Sequence, residues 1–539
     1  MSIARRLFAL GIACALALAG SAAQAFCGFY VGGAGSKLYA QATQVVLMRE
    51  GVRTVLSMAN DYSGPPEGFA MVVPVPVVLQ KDNVKTLSAE LFDRLDQLDA
   101  PRLVEYWEQD PCRKDSGYGY DFSDDPLAAG GFGPNDATIR VRPGPVSVRI
   151  LNRFSVGEYQ ILILSAQDSL GLDAWLRENG YAIPAGAEPV LRPYVQAGMK
   201  FFVARVDPSK VRFEKGRATL SPLRFHYDSD TFALPIRLGL LSSPGTQDLV
   251  VHVLARGQRY EAANYDNAVI PTNLDVLDPV KGAFGTFYAA LFDHTLAAHP
   301  GAMITEYAWD ASSCDPCPTP PLEEGDLAAL GAEVFPSSAS LGFGRGFVLT
   351  RLHTRYRKED AGADIVFRAA PPISGGRESR DEHGALEQGA RSDGVNNFQA
   401  RYALRHAWAG PITCAEPTRG LWGADPRGRT SPIQAAQDLA FAPRGSVDIL
   451  IFLGQPPPDL GGFAPASPGS SFFPNGARGQ PAPPHGGCAG CAVGSGNEAP
   501  RASLAALLVV MGVALRRLVM THRLPPPLRR RRLGRAKER

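Results

Sequence analysis

The residues of this chain best placed to do chemistry are four consecutive ones, Cys314-Asp315-Pro316-Cys317. Two cysteines separated by two residues can set both sulfurs on one turn and lower the pKa of the attacking thiol, which makes such a pair a redox centre. A strand is expected before the pair and a helix after it, an order that loosely imitates a thioredoxin-type site. Pro318, Pro320 and Pro321 follow at once, however. They push the helix start downstream, so the first sulfur loses the helix N-terminus that would stabilise a thiolate. The leading alternative is a structural disulfide, either within the pair or from one of its members to Cys414. A zinc site of four cysteines would need a second close pair. Cys488 and Cys491 form that second pair, but they lie beyond a Pro/Gly-rich spacer. No metal and no cofactor are expected.

Other chemistry leaves no signature. There is no His-Glu-x-x-His run, and His294 and His299 are five apart, off the i, i+4 spacing of a helical zinc pair. There is no Gly-x-Ser-x-Gly elbow. The glycines at 32–37 and 342–346 lack the order or spacing of phosphate-binding loops. Trp175, Trp309 and Trp408 raise a carbohydrate-binding reading, but isolated tryptophans among apolar neighbours are read as core. The acidic run Glu323-Glu324-Gly325-Asp326 is read as a charge cluster at a helix start. No catalytic residue is assigned.

Both ends of the chain carry targeting signals. Arg5 and Arg6 precede an apolar stretch at 7–20, and Ala23-Gln24-Ala25 is a small-x-small cleavage site. Residues 1–25 are therefore read as a secretory signal peptide, cut between Ala25 and Phe26. Export makes disulfides the default for the cysteines that remain. The candidates are Cys27, Cys112, Cys314, Cys317 and Cys414. Cys27 and Cys112 flank the first folded stretch, and a bond between them would tie its N-terminus down, although sequence does not fix connectivity.

At the other end, residues 455–501 collapse into Pro, Gly, Ser and Ala, as in QPPPDLGGF. Such a stretch buries too little apolar surface to fold and is read as a flexible stalk. Residues 502–520 form an apolar segment interrupted by Arg516 and Arg517, and 521–539 form a basic tail expected on the cytoplasmic side. The apolar stretch is short for a hydrocarbon core about 30 Å thick. This end resembles the myxobacterial C-terminal sorting signal, with Cys488-Ala489-Gly490-Cys491 as its motif, which implies cleavage near the cysteines and retention at the cell surface. The alternative is a plain transmembrane anchor.

The formal net charge of +2 hides an asymmetry. From Arg501 onward there are eleven basic residues and one acidic one. Setting these aside from the 55 and 53 of the whole chain leaves an acidic body, with 44 basic residues against 52 acidic. A generally basic nucleic-acid-binding body is thereby excluded as the expectation.

At 539 residues the chain exceeds one ordinary core, and two or three subdomains are expected. The first, 26–113, opens on two β-prone runs at 44–50 and 53–60 around Gly51, a hairpin pattern. A third run at 69–73 ends at Pro74. Apolar spacing at 87–98 predicts a helix, with a second short helix running to Glu108. The second subdomain, 137–280, reads as strands at 146–154, 157–165, 198–206, 225–237 and 249–254 with a helix at 172–179. The third, 281–454, contains the cysteine pair, helices at 285–296 and 323–331, and strands at 302–309, 347–356, 364–367, 398–405 and 447–452. Short connections predict an α+β fold of mostly antiparallel sheets.

Four segments, FCGFYVGGAG, GPPEGFAMVVPVPV, DAWLRENGYAIP and TEYAWDASSCDPCP, resemble in their order the family called domain of unknown function 2330. The resemblance spans roughly 26–452. It supports the architecture and export, and implies no activity. The expected function is a cell-envelope binding or structural protein held to the membrane by its C-terminal segment, with an unidentified envelope partner or ligand. The alternative is an extracytoplasmic thiol–disulfide oxidoreductase using Cys314 and Cys317.

Overall fold

The hairpin expected near the N-terminus is formed by strands Ala42–Glu50 and Arg53–Met58, turning at Gly51, whose φ of 57° suits a residue without Cβ. It lies inside the largest sheet of a computed structural model. That structure describes residues 29–31, 42–59, 70–112, 148–181, 183, 186–214, 217–239, 247–342, 346–357, 362–378, 386–428, 433–435 and 447–458. The signal peptide at 1–25, the Ala25–Phe26 cut, Cys27, the stalk beyond residue 458, Cys488, Cys491, the 502–520 segment and the basic tail lie outside the described residues. Among the described residues no helix is long and apolar enough to cross a membrane. Contacts divide the chain into two units, Met1–Pro465 and Ala466–Arg539, and every described residue lies in the first.

The centre of the largest sheet runs, in spatial order, through Met303–Asp310, Phe347–Tyr356, Gln247–Arg256, Ala42–Glu50, Arg53–Met58 and Leu223–Asp228. These strands come from all three expected subdomains, so the stretches 26–113, 137–280 and 281–454 share one sheet. Most pairings are antiparallel. The buried central pair, Ala42–Glu50 with Gln247–Arg256, is parallel.

One face of this sheet packs on a five-stranded sheet ordered Phe29–Val31, Ala70–Val75, Lys200–Val206, Tyr159–Ala166, Val148–Val156. Val45, Leu47, Leu249 and Val251 meet Met71, Val73, Ile161 and Phe202 between the two. Pro74, which has no N–H to donate, lies past the end of the Phe29–Val31 partner, whose pairing stops at Val72. The outer face of the smaller sheet is covered by helices Ser169–Glu178 and Ala187–Gln196 through Leu172, Trp175, Leu191 and Tyr194. The sequence did not predict the second of these helices. It contains Pro189 near its start and Pro193 inside, and its packing outweighs the proline penalty.

The other face of the large sheet is covered by helices Ala89–Asp99 and Phe284–Ala298. The first begins at Ser88, whose hydroxyl accepts from the Glu90 N–H, and buries Leu91, Phe92, Leu95 and Leu98. The layering is helices, sheet, sheet, helices: an α+β arrangement of mixed sheets.

The second short helix expected up to Glu108 is instead a strand, Arg102–Glu108. Its Val, Tyr and Trp favour a pleated, half-buried surface. It pairs in parallel with Arg401–His406, which pairs in parallel with Leu274–Val276. The expected 398–405 strand is divided between this sheet and the large one, and the expected 447–452 strand is a short helix, Leu450–Leu453.

Candidate functional site

The parallel register sets Glu105 opposite Leu404 and Trp107 opposite His406. Leu103, Tyr402 and Leu404 on these strands pack beneath the Phe284–Ala298 helix. Further along the strands, Glu105, Trp107 and His406 line a cleft of about 850 Å³. Open crevices at the carboxyl ends of parallel strands are favoured places for ligands. Lys281, from the turn before the helix, and Trp408, Asp425 and Arg427 complete the lining.

Within the cleft the Trp107 and His406 rings stack with centroids 4.7 Å apart. His406 Nε2 lies 2.8 Å from Glu105 Oε2, and Lys281 Nζ donates to the same carboxylate at 2.8 Å. Burial would push the Glu105 carboxyl up, but the hydrogen bonds from Lys281 and His406 outweigh it and hold it below its ordinary value. Glu108 accepts from the backbone N–H groups of Trp408 and Gly420 and from Arg419. Those backbone bonds, chiefly, lower its carboxyl as well. Both carboxyls are therefore held as acceptors at neutral pH. Among the described residues the lining contains no hydroxyl or thiol side chain.

The loops that leave the two strands are joined by Cys112–Cys414, a disulfide between residues 302 apart in sequence. The Cys414 N–H points at Cys112 Sγ, 3.0 Å away. A bond between Cys27 and Cys112 is therefore not the one the structure holds, nor is one from Cys314 or Cys317 to Cys414. Cysteine 414 lies beside the continuation of the neighbouring strand, which no sequence spacing reveals.

Cys314 and Cys317 are bonded to each other. Their loop is fastened from below: Arg102 donates to the Pro316 carbonyl at 2.6 Å, Gln399 donates to the Asp315 carbonyl, and Arg377 pairs with Asp315 at 2.8 Å. Cys317 is exposed and Cys314 is half-buried. The next helix, Glu324–Leu330, begins ten residues after Cys314, so its N-terminus does not serve that sulfur.

A second polar cluster lies under the helices that cover the large sheet. Asp248 and His252 alternate along one strand, and Arg351, His353 and Arg355 alternate along its neighbour, so all five share a face. A bulge at Glu306 on the next strand shifts the register between Thr305 and Tyr307. Arg351 is 1% exposed and bonds Asp96 at 2.5 Å, Asp99 at 2.8 Å and Glu306 at 2.7 Å. His252 Nδ1 lies 2.6 Å from Asp99. His353 bridges Glu306 and Asp248, and the Tyr288 hydroxyl donates to Glu306. Burial would raise the Glu306 carboxyl, but His353 and Arg351 hold it below its ordinary value. Asp96, Asp99 and His252 together have a spacing that could hold a metal ion. Arg351 Nη1 already bonds both aspartates, so the guanidinium supplies the positive charge there, and the donor set does not fit a metal beside it.

Of the tryptophans weighed in the sequence, Trp175 and Trp309 are core and Trp408 lines the cleft. Glu105, Trp107, Lys281 and His406 were missed. They come from three distant stretches and match no motif.

The chain belongs to the family described as "Uncharacterized protein conserved in bacteria (DUF2330)", whose match covers residues 21–368. The span contains all four segments that carried the resemblance and ends before the strand with His406. No curated protein and no solved structure matches the chain.

Proposed function

We propose that this protein is an exported, envelope-anchored binding protein that takes its ligand in the cleft at the carboxyl ends of the Arg102–Glu108 and Arg401–His406 strands. The observation that carries the reading is the composition of that cleft: two tryptophans, carboxylates already paired with cations, and, among the described residues, no hydroxyl or thiol in the lining. Such a surface holds a ligand without offering it a reaction. Export and anchoring rest on the two sequence ends, including the resemblance of the C-terminus to a sorting signal.

The test is cosedimentation of the purified full chain with isolated bacterial envelopes, comparing the native protein with a Trp107→Ala, Trp408→Ala double variant. Loss of binding in a variant that keeps its thermal transition is the expected result. Equal sedimentation of the two would remove the cleft from the function.

One observation favours a thiol–disulfide oxidoreductase: the Cys314–Cys317 bond is closed within the pair and Cys317 reaches solvent. Insulin reduction catalysed by the native chain and abolished in Cys314→Ser would establish it. Turnover at the rate of the uncatalysed control would exclude it.

A further inference from the structure

We infer that the cleft selects a neutral oligosaccharide, recognised by stacking of a sugar ring on an indole and by hydrogen bonds to prepaired polar groups. This rests on the cleft being the binding site, and it adds the class of ligand.

Charge is the first argument. Each carboxylate at the cleft meets its own cation: Glu105 meets Lys281 at 2.8 Å, Glu108 meets Arg419 at 2.7 Å and Asp425 meets Arg427 at 3.3 Å. Among the described residues of the cleft, an anionic ligand finds no cation without a carboxylate already on it, and a cationic ligand finds no carboxylate without a cation. Either would have to break an existing pair, and the ligand's own desolvation would add to that cost.

Hydrogen-bonding capacity is the second. A paired carboxylate keeps unused lone pairs, and the Lys281 ammonium, 2.8 Å from both Glu105 oxygens, keeps one N–H donor. Lys281 is more than half exposed, so that donor is open to solvent. Hydroxyl groups both donate and accept, so they can join these pairs without separating charge.

Shape and surface are the third. Trp107 is held in place by its stack on His406. Trp408 is held at its backbone by Glu108 and at its ring by a close approach to Gly410. A Cβ at position 410 would lie 2.5 Å from the Trp408 ring. The indoles are thus set before any ligand arrives, and they offer apolar faces to the C–H face of a pyranose. A volume of about 850 Å³ is within the range of small-molecule sites and has room for more than one sugar ring.

The test is tryptophan emission of the purified full chain titrated with maltohexaose, cellohexaose and chitohexaose as neutral probes. An oligogalacturonate serves as the anionic probe and a chitosan oligomer as the cationic one. The expected result is a saturable shift with at least one neutral probe, weakened about tenfold in Trp408→Ala and also weakened in Gly410→Ala, whose new methyl displaces the ring. Thermal transitions close to the native one show that both variants fold. A shift with only the charged probes, still dependent on Trp408, would overturn the neutral class and leave the cleft as the binding site. A neutral probe bound equally well by both variants would overturn the cleft as its site. No shift with any probe would overturn the inference.

Discussion

Cys112 and Cys414 are 302 residues apart in sequence and 5.4 Å apart at their Cα atoms, bonded across the exits of two adjacent parallel strands. Glu105, Trp107, His406 and Trp408 lie five to eight positions before that bond on the two stretches it joins. A crosslink closing so long a loop removes much freedom from the unfolded chain. Replacing both cysteines by alanine is expected to destabilise the protein by about 2–5 kcal/mol, measured by denaturant unfolding without reductant. The cleft should also loosen, seen as greater quenching of tryptophan emission by acrylamide.

The Cys314–Cys317 bond closes a loop of only a few residues, and the loop is also held by Arg102, Gln399 and Arg377. Cys314→Ser with Cys317→Ser is expected to cost no more than about 2 kcal/mol. Oligosaccharide-dependent emission should not change. A loss of stability matching that of the Cys112, Cys414 variant would show that this bond is a principal clamp.

Arg351 pairs with three buried carboxylates at once. Arg351→Met leaves Asp96, Asp99 and Glu306 without it and is expected to destabilise by about 3–5 kcal/mol. An unchanged denaturation midpoint would contradict the role given to it.

Glu306 is held below its ordinary carboxyl value in the folded chain by His353 and Arg351, against burial. Its contribution is therefore fully present above the unfolded value of about 4.3 and is lost as pH falls through the lower folded value. Stability measured from pH 7 downward should fall in that acid range. The fall should be shallower in Glu306→Gln, where this group no longer takes up a proton.

Local pattern made several elements legible. The hairpin around Gly51, the helix with Leu91, Phe92, Leu95 and Leu98, and the strand ending near Trp309 all show the period of the element they form. The stretch up to Glu108 was expected to be a second short helix. It is a strand because it lies between two partners, which is tertiary information. Arg351, His353 and Arg355 do alternate, but a charged face of a strand reads as solvated. It is buried here because two helices bring Asp96, Asp99, Asp293 and Tyr288 over it. The cleft was illegible for a related reason. Glu105 and His406 become partners through parallel pairing across about 300 positions, and Lys281 reaches the same carboxylate from a third stretch.

The cleft is a single surface only while the exits of its two strands are held together. Peptide mass spectrometry of the native, unreduced chain tests this most directly. The predicted result is a Cys112–Cys414 linked peptide together with a Cys314–Cys317 bridge. Cys112 linked to Cys27, or Cys414 linked to Cys314 or Cys317, would contradict it and leave the cleft without its staple.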